Sequence, residues 1–191
     1  MEVENIRAYV LIYDGFAQFE VVLACYLLKT KGEVITVGMN KEVVGSFEGF
    51  ISLPHMTIDE LNIEEMDLLI IPGGNPDAVK ETGKLYRFLR ELNERDVVIG
   101  AICSSPVHLA KAGVLKGKRY TTSLPVNEFT EFETENYKDE NVIVDHNIVT
   151  AKASGYVDFA IALGKEMEIY KDEDDLLETI RFFKYYNNEP G

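Results

Sequence analysis

Short blocks of nearly continuous apolar residues alternate along the chain with segments whose apolar positions recur every three or four residues. IRAYVLI (Ile6 to Ile12) is the first block, and Asp14-Gly15 ends it. From Phe19 to Lys31 the pattern turns helical, and Phe19, Val22, Leu23, Tyr26 and Leu27 predict one buried stripe. Gly32 follows where a C-cap glycine would sit, and Glu33 to Met39 reads as the second strand. Short β-like pieces around Val43-Val44 and Phe50 to Leu53 come next, then a helical turn near Thr57 to Leu61. DLLIIPGG (Asp67 to Gly74) is a fully apolar strand that runs into a glycine pair.

Leu85, Phe88, Leu89 and Leu92 mark an amphipathic helix, and VVIGAIC (Val97 to Cys103) is another buried strand. Ser104 to Gly113 predicts a helix with Pro106 in its first turn and a glycine near its end. NVIV and NIVTA flank Asp145-His146, the pattern of a hairpin turn. Two helices, about Tyr156 to Met167 and Asp172 to Tyr186, close the chain. The acids Asp172 to Asp175 favour the positive end of the last helix's dipole, so they read as a helix start rather than a binding tail. Apolar strands bounded by helices predict an α/β fold with a mostly parallel sheet and helices on both faces. Such folds place their sites at strand carboxyl ends. Asp14-Gly15, Gly73-Gly74 and Cys103 all fall there.

A chain of 191 residues suits one domain spanning residues 1–191. No apolar run approaches the roughly 20 residues that cross a bilayer. The N-terminus carries acids where a secretory signal carries a basic region, which argues against export. The net charge of −14, from 19 basic and 33 acidic residues, repels phosphate backbones and anionic lipid surfaces. That balance excludes nucleic acid and membrane as expected partners. Cys25 and Cys103 have no metal-type spacing, so no metal or cofactor is expected, and a cytoplasmic protein with reduced thiols follows.

Cys103 ends a strand and opens a helix through Ser104-Ser105-Pro106, an arrangement that resembles a nucleophile elbow. The free N–H groups of a helix N-terminus would stabilise its thiolate and lower its pKa. The plain alternative is a buried core cysteine, which is the expectation for mid-helix Cys25. Gly73-Gly74 permits positive φ and close approach of backbone N–H groups to a ligand, as an oxyanion site requires, although most glycine pairs only make turns. Glu20 reads either as a solvated first-turn acid or, among Phe19, Val21 and Val22, as a partly desolvated carboxyl. In the second case its pKa rises and it can hydrogen-bond a thiolate.

Four segments taken together, YDGFAQFE (Tyr13 to Glu20), DLLIIPGG, AICSSP (Ala101 to Pro106) and GKRYTTS (Gly117 to Ser123), resemble the ThiJ/PfpI superfamily, also called the DJ-one family. The likeness extends over nearly the whole chain. It implies a flavodoxin-like three-layer sandwich of the class I glutamine-amidotransferase type, assembled as a homodimer, and an association with stress response. It implies a nucleophilic, oxidation-prone Cys103, a Glu20 that hydrogen-bonds it, and oxyanion amides at Gly74 and Ser104, with Gly73 beside them. Two departures stand out. Ser123 occupies the place, after the threonine pair, of the histidine carried by the deglycase and glyoxalase branch, and is a candidate pocket residue. Ser104 occupies the place of the histidine that follows the cysteine in the protease-like branch.

None of the three histidines replaces them. His108 is rotated about 140° from the Cys103 direction on a helix and reads as a helix-face residue. His146 reads as a turn residue and His55 as a surface loop residue. The leading expectation is glyoxalase- or deglycase-like action on a small reactive carbonyl. The alternative is a non-catalytic oxidative-stress sensor or chaperone-like protein that uses Cys103 oxidation. A Cys hydrolase or amidotransferase relative stands third. The pocket segments Asn75 to Val79 and Leu124 to Glu128 carry neutral or acidic groups, which disfavours a strongly anionic small-molecule substrate.

Overall fold

The computed structural model describes residues 5–79 and 82–185. Residues 1–4, on which the expectation about export partly rests, and Tyr186, the expected end of the last helix, lie outside the described residues. Strand β1 (Ile6–Leu11) leads through a loop to α1 (Phe19–Leu28) and then β2 (Gly32–Gly38). Two short antiparallel strands, β3 (Val44–Gly45) and β4 (Ile51–Ser52), form a separate hairpin, and β5 (Met56–Thr57) joins the outer side of β2. The chain then builds β6 (Leu68–Ile71), α2 (Thr82–Glu94), β7 (Val98–Ile102) and α3 (Pro106–Ala112). Strands β8 (Val142–Asp145) and β9 (Ile148–Ala151), α4 (Tyr156–Glu166) and α5 (Glu173–Lys184) complete it.

The main sheet has the order β5-β2-β1-β6-β7-β9-β8, and only β8 runs antiparallel to its neighbour. From β1 the chain crosses to β2 on one side, and later from β6 to β7 on the other. Because β-α-β crossovers are right-handed, this reversal puts α1 on one face and α2 on the opposite one. Helix α4 joins α1, and α3 joins α2, so the sheet is covered on both faces. This is the expected flavodoxin-like sandwich. Every residue of β6 is buried, as a strand covered on both faces requires. At Gly100 of β7 a Cβ would come within 2.9 Å of Phe159 and 3.0 Å of Leu163, so glycine lets α4 lie directly on the strand.

The hairpin at His146 and the helix start at Asp172 form as predicted. His146 has a φ of 52°, and the Asp172 carboxylate accepts the Asp175 N–H at 2.9 Å. Two expectations need correction. The buried face of α1 is Glu20, Val21, Ala24, Leu27 and Leu28, whereas Phe19, Val22 and Tyr26 are exposed. The helix is apolar on nearly every side, so periodicity could not choose its inner face. Gly32 is no helix cap: α1 ends at Leu28, and Gly32 pairs with Ile6 at the start of β2, where a side chain would strike the Ile6 carbonyl. Among the described residues no helix is long and apolar enough to cross a membrane.

Candidate active site

Strands β1, β6 and β7 are neighbours, so the segments leaving their carboxyl ends meet. These segments carry Tyr13 to Glu20, Pro72-Gly73-Gly74 and Cys103. The sheet order therefore brings the predicted residues to one place, where the strand order also reverses.

Cys103 has a φ of 65°, the left-handed region that a residue with a side chain occupies only under strain of about 1 to 3 kcal/mol. The neighbouring backbone holds it there. Its N–H donates to the Ala151 carbonyl at 2.8 Å, which extends the β7–β9 pairing by one residue. Its carbonyl accepts the Ser123 N–H and the Thr122 hydroxyl, both at 2.8 Å. The two serines after it fasten the elbow to the end of β6. The Ser105 hydroxyl lies 2.7 Å from the Ile71 carbonyl, and the Ser104 hydroxyl donates to the Gly74 carbonyl at 2.9 Å.

Glu20 sits in the first turn of α1 with 2% of its surface exposed, which settles its two readings in favour of the desolvated carboxyl. The hairpin between β3 and β4 sets this turn: the Glu48 carboxylate accepts the N–H groups of Gln18 and Phe19 at 3.1 and 2.9 Å. That cap comes from a distant segment, and nothing in the local pattern announces it. Glu20 accepts the Gly73 N–H at 2.8 Å and lies across Gly73 from the Cys103 thiol. Burial pushes its pKa up, against the lowering effect of the thiol and of the Gly73 N–H.

Gly73 is the contact point of the three segments. A Cβ there would lie 2.5 Å from the Cys103 Cβ, 2.6 Å from the Glu20 carboxylate and 3.0 Å from Sγ. Gly74 has a φ of 123°, and a side chain on it would collide with the Gly15 carbonyl. The Gly73 carbonyl accepts the Ala17 N–H at 2.9 Å and the Tyr13 hydroxyl at 2.8 Å. In a trans peptide the C=O and the next N–H point in opposite directions. The two donors on the Gly73 carbonyl therefore fix the direction of the Gly74 N–H. Tyr13 went unremarked in the sequence, where it is simply the first letter of the motif that ends in Glu20.

The Cys103 thiol is pushed up to about 11, first by burial and then by the charge and hydrogen bond of Glu20. The nearby Ser123 hydroxyl and Ser104 N–H act in the opposite direction. The expected net lowering by the helix N-terminus is thus corrected. Helix α3 is a single short segment beginning at Pro106, and the carboxylate beside the sulfur outweighs it. Carboxyl and thiol resist ionising together, so the pair holds a proton between oxygen and sulfur.

None of the histidines reaches Cys103. His108 lies on α3 with 1% of its surface exposed, its Nδ1 3.5 Å from the Tyr86 hydroxyl, while Nε2 has no partner among the described residues. Burial, with Lys111 adding to it, lowers its pKa to about 4. His55 is exposed and accepts the Thr36 N–H at 3.0 Å, and His146 is exposed in its turn. Among the described residues no three His, Cys, Asp or Glu side chains are grouped to hold a metal ion.

Comparison with known proteins gives a consistent picture. The sequence profile of the DJ-1/PfpI family matches residues 6–166. The protein named deglycase TK1284 of Thermococcus kodakarensis is 26% identical over 151 residues, spanning 78% of this chain and 91% of its own. The protein named deglycase PfpI of Pyrococcus furiosus is 30% identical over 144 residues, 74% of this chain and 87% of its own. Among solved structures, the DJ-1 superfamily protein Atu0886 of Agrobacterium tumefaciens superposes with a TM-score of 0.82 at 24% identity. That superposition covers 95% of this chain and all of the other, and it shows a shared fold.

Proposed function

This chain belongs to the DJ-1/PfpI family, and from that premise we propose that it acts on small reactive carbonyls through Cys103 and Glu20, in the manner of a glyoxalase or deglycase. The observation that carries the reading is the meeting of the buried Glu20 carboxylate and the Cys103 side chain around a turn that admits only glycine at position 73. A lone core cysteine needs neither a buried carboxyl partner nor a left-handed backbone.

With a 2-oxoaldehyde such as methylglyoxal, the thiol proton passes to the Glu20 carboxylate and the thiolate attacks the aldehyde carbon. A C–S bond forms, the C=O π bond opens, and the alkoxide is held by the Gly74 and Ser104 amides. The alkoxide takes up the proton that Glu20 holds, which frees the carboxylate. Glu20 then removes the proton from the carbon bonded to sulfur and returns it to the adjacent carbon through an enediol. Water cleaves the resulting thioester, and a 2-hydroxy acid and the free thiol are released. A carboxyl whose pKa is raised by burial suits such proton exchange near neutral pH. Without an imidazole, turnover is expected to be about 10²- to 10⁴-fold below that of a site possessing one.

Consumption of methylglyoxal by the wild type, with Cys103→Ser and Glu20→Gln alongside, tests this. Turnover that does not depend on Cys103 would sink it. The sensor reading gains from a different observation. Glu20, the Ser104 N–H and Ser123 already surround the sulfur, and donors so placed would also hold oxygens added to it. Intact mass after mild peroxide should then show two oxygens on Cys103; modification no faster than at Cys25 counts against it.

The homodimer implied by the resemblance has a suitable face in the exposed Phe19, Val22, Tyr26, Phe50 and Phe182, which line a groove of about 620 Å³. Sedimentation of the pure chain at micromolar concentration reads this directly, and a monomer mass would overturn it.

A further inference from the structure

Tyr13 stands just beyond the end of β1, with 4% of its surface exposed and its ring beside that of Phe16. Its hydroxyl lies 2.8 Å from the Gly73 carbonyl and 3.1 Å from the Pro72 carbonyl. A buried tyrosine hydroxyl needs an acceptor, and almost any carbonyl would satisfy it. This one has two successive carbonyls of the turn that packs against Cys103. One proton serves both, and the shorter contact is at Gly73.

Glycine on both sides leaves the Gly73–Gly74 peptide unit with no Cβ to resist rotation, so hydrogen bonds must set its orientation. Two donors clamp the Gly73 carbonyl, the Tyr13 hydroxyl and the Ala17 N–H at 2.9 Å. Gly74 lies opposite Phe16 in an isolated antiparallel bridge, and the Ala17–Gly73 bond flanks that pair. In a pair flanked in this way, a residue's own N–H and C=O point away from the opposite strand. The Gly74 carbonyl accordingly accepts the Ser104 hydroxyl, at 2.9 Å, from the elbow. The Gly74 N–H points to the same side and has no acceptor among the described residues. A turn of this peptide unit would swing that N–H away from Cys103, and it would break the Tyr13 bond first.

We propose that Tyr13 is a positioning residue of the site. Its hydroxyl clamps the Gly73–Gly74 peptide so that the Gly74 N–H stays aimed at an oxyanion formed on a carbon bonded to Cys103. Tyr13 itself touches no reacting atom and carries no proton. It acts only on steps in which an oxygen gains charge, and leaves the nucleophilicity of the sulfur alone. This rests on the reading in which Cys103 adds to a carbonyl, and deepens it.

The probe is trifluoroacetone, whose carbonyl carbon takes the Cys103 sulfur reversibly. A C–S bond forms, the C=O π pair moves to oxygen, and the thiol proton passes to Glu20. The adduct has no hydrogen on the carbon bonded to sulfur, so it goes no further. Fluorine NMR in a Cys25→Ala background reads its dissociation constant. Tyr13→Phe, which removes only the hydroxyl, should raise that constant about 10-fold. The effect is smaller than the roughly 10²- to 10³-fold cost of losing an oxyanion donor, because the Ala17 N–H still holds the carbonyl. Alkylation of Cys103 by iodoacetamide puts no charge on an oxygen and should stay within about twofold of the parent. Tyr13→para-aminophenylalanine returns an N–H donor and should bring the constant back to within about threefold. All measurements are made at a temperature where thermal unfolding shows each variant folded. An adduct in Tyr13→Phe within about twofold of the parent's affinity overturns the proposal. So does a parent that forms no adduct, and so does an equal loss in alkylation, which would mark a general disturbance of the elbow. The two readings fail separately. A weakened adduct in a protein that leaves methylglyoxal untouched keeps the role of Tyr13 and removes the turnover, whereas turnover with an unweakened adduct removes Tyr13 alone.

Discussion

Cys25 and Cys103 are both partly buried thiols whose pKa is pushed up by burial, to about 12 and about 11. Their surroundings separate them. Cys25 lies within α1, where only its own backbone acts against burial. Cys103 has a left-handed backbone, and a carboxyl, a hydroxyl and an amide near its sulfur act on its ionisation. Neither is a thiolate by default at neutral pH. Reactivity at Cys103 therefore comes from a proton acceptor within reach and donors that hold the charge afterwards. A general lowering of its pKa does not supply it.

Exchanging the two thiols gives the strongest test of that difference. Cys103→Ser should reduce methylglyoxal consumption by about 10⁴-fold or more, as loss of a nucleophile does. Cys25→Ser should leave it within about twofold. Similar losses from both variants would mean that the contrast between the two regions has no chemical consequence.

Glu20→Gln sharpens the comparison because two readouts should move in opposite directions. Turnover should fall by about 10²- to 10³-fold, since the proton carrier is gone. Alkylation of Cys103 at pH 8 should rise by about 10-fold, because the negative charge that holds the thiol up is removed. A joint fall of both rates would show instead that Glu20 promotes the thiolate.

Gly73→Ala probes the geometry that only one of the cysteines has. The added methyl would press on the Cys103 Cβ and the Glu20 carboxylate, at 2.5 and 2.6 Å. Denaturant unfolding should show a loss of about 1 to 3 kcal/mol, the usual range for overpacking. A variant of unchanged stability would show that the turn can open, and that the contact of the three segments is loose.

Much of this contrast was legible in the sequence. The apolar strands Ile6 to Ile12, Asp67 to Ile71 and Val97 to Ile102 announced a parallel sheet, and their carboxyl ends held Glu20, Gly73-Gly74 and Cys103. What failed was decided by long-range packing. Phe19, Val22 and Tyr26 are as apolar as Val21, Ala24 and Leu27, so α1 gave no period from which to tell its inner face from its outer one. The Glu48 cap on α1, the Tyr13 bond to the Gly73 carbonyl and the Ala153 bond to Ser123 join residues 30 to 60 positions apart. No local spacing encodes such bonds. The direction of the Cys103 shift was misjudged because it depends on the distance to Glu20, a tertiary fact, rather than on the helix that follows.

The smallest effect concerns Cys25 alone, and its sign follows from linkage. A thiol that ionises near 9 when unfolded and near 12 when folded leaves the folded state with more bound protons between those values. Its contribution to stability is fully present below pH 9 and is lost as pH rises through 12. Between pH 8 and 10 the wild type should therefore lose about 1 kcal/mol more stability than Cys25→Ala does. Denaturant unfolding of the two proteins at both pH values reads the difference, in which the tyrosines and lysines common to both cancel. Cys103→Ala should relieve almost as much over this interval, because a thiol held near 11 in the folded state is also still protonated at pH 10. No relief from either variant would show that burial does not hold the thiols up, and relief from Cys25→Ala alone would show that the Cys103 thiol ionises more readily in the folded protein than its place beside Glu20 implies.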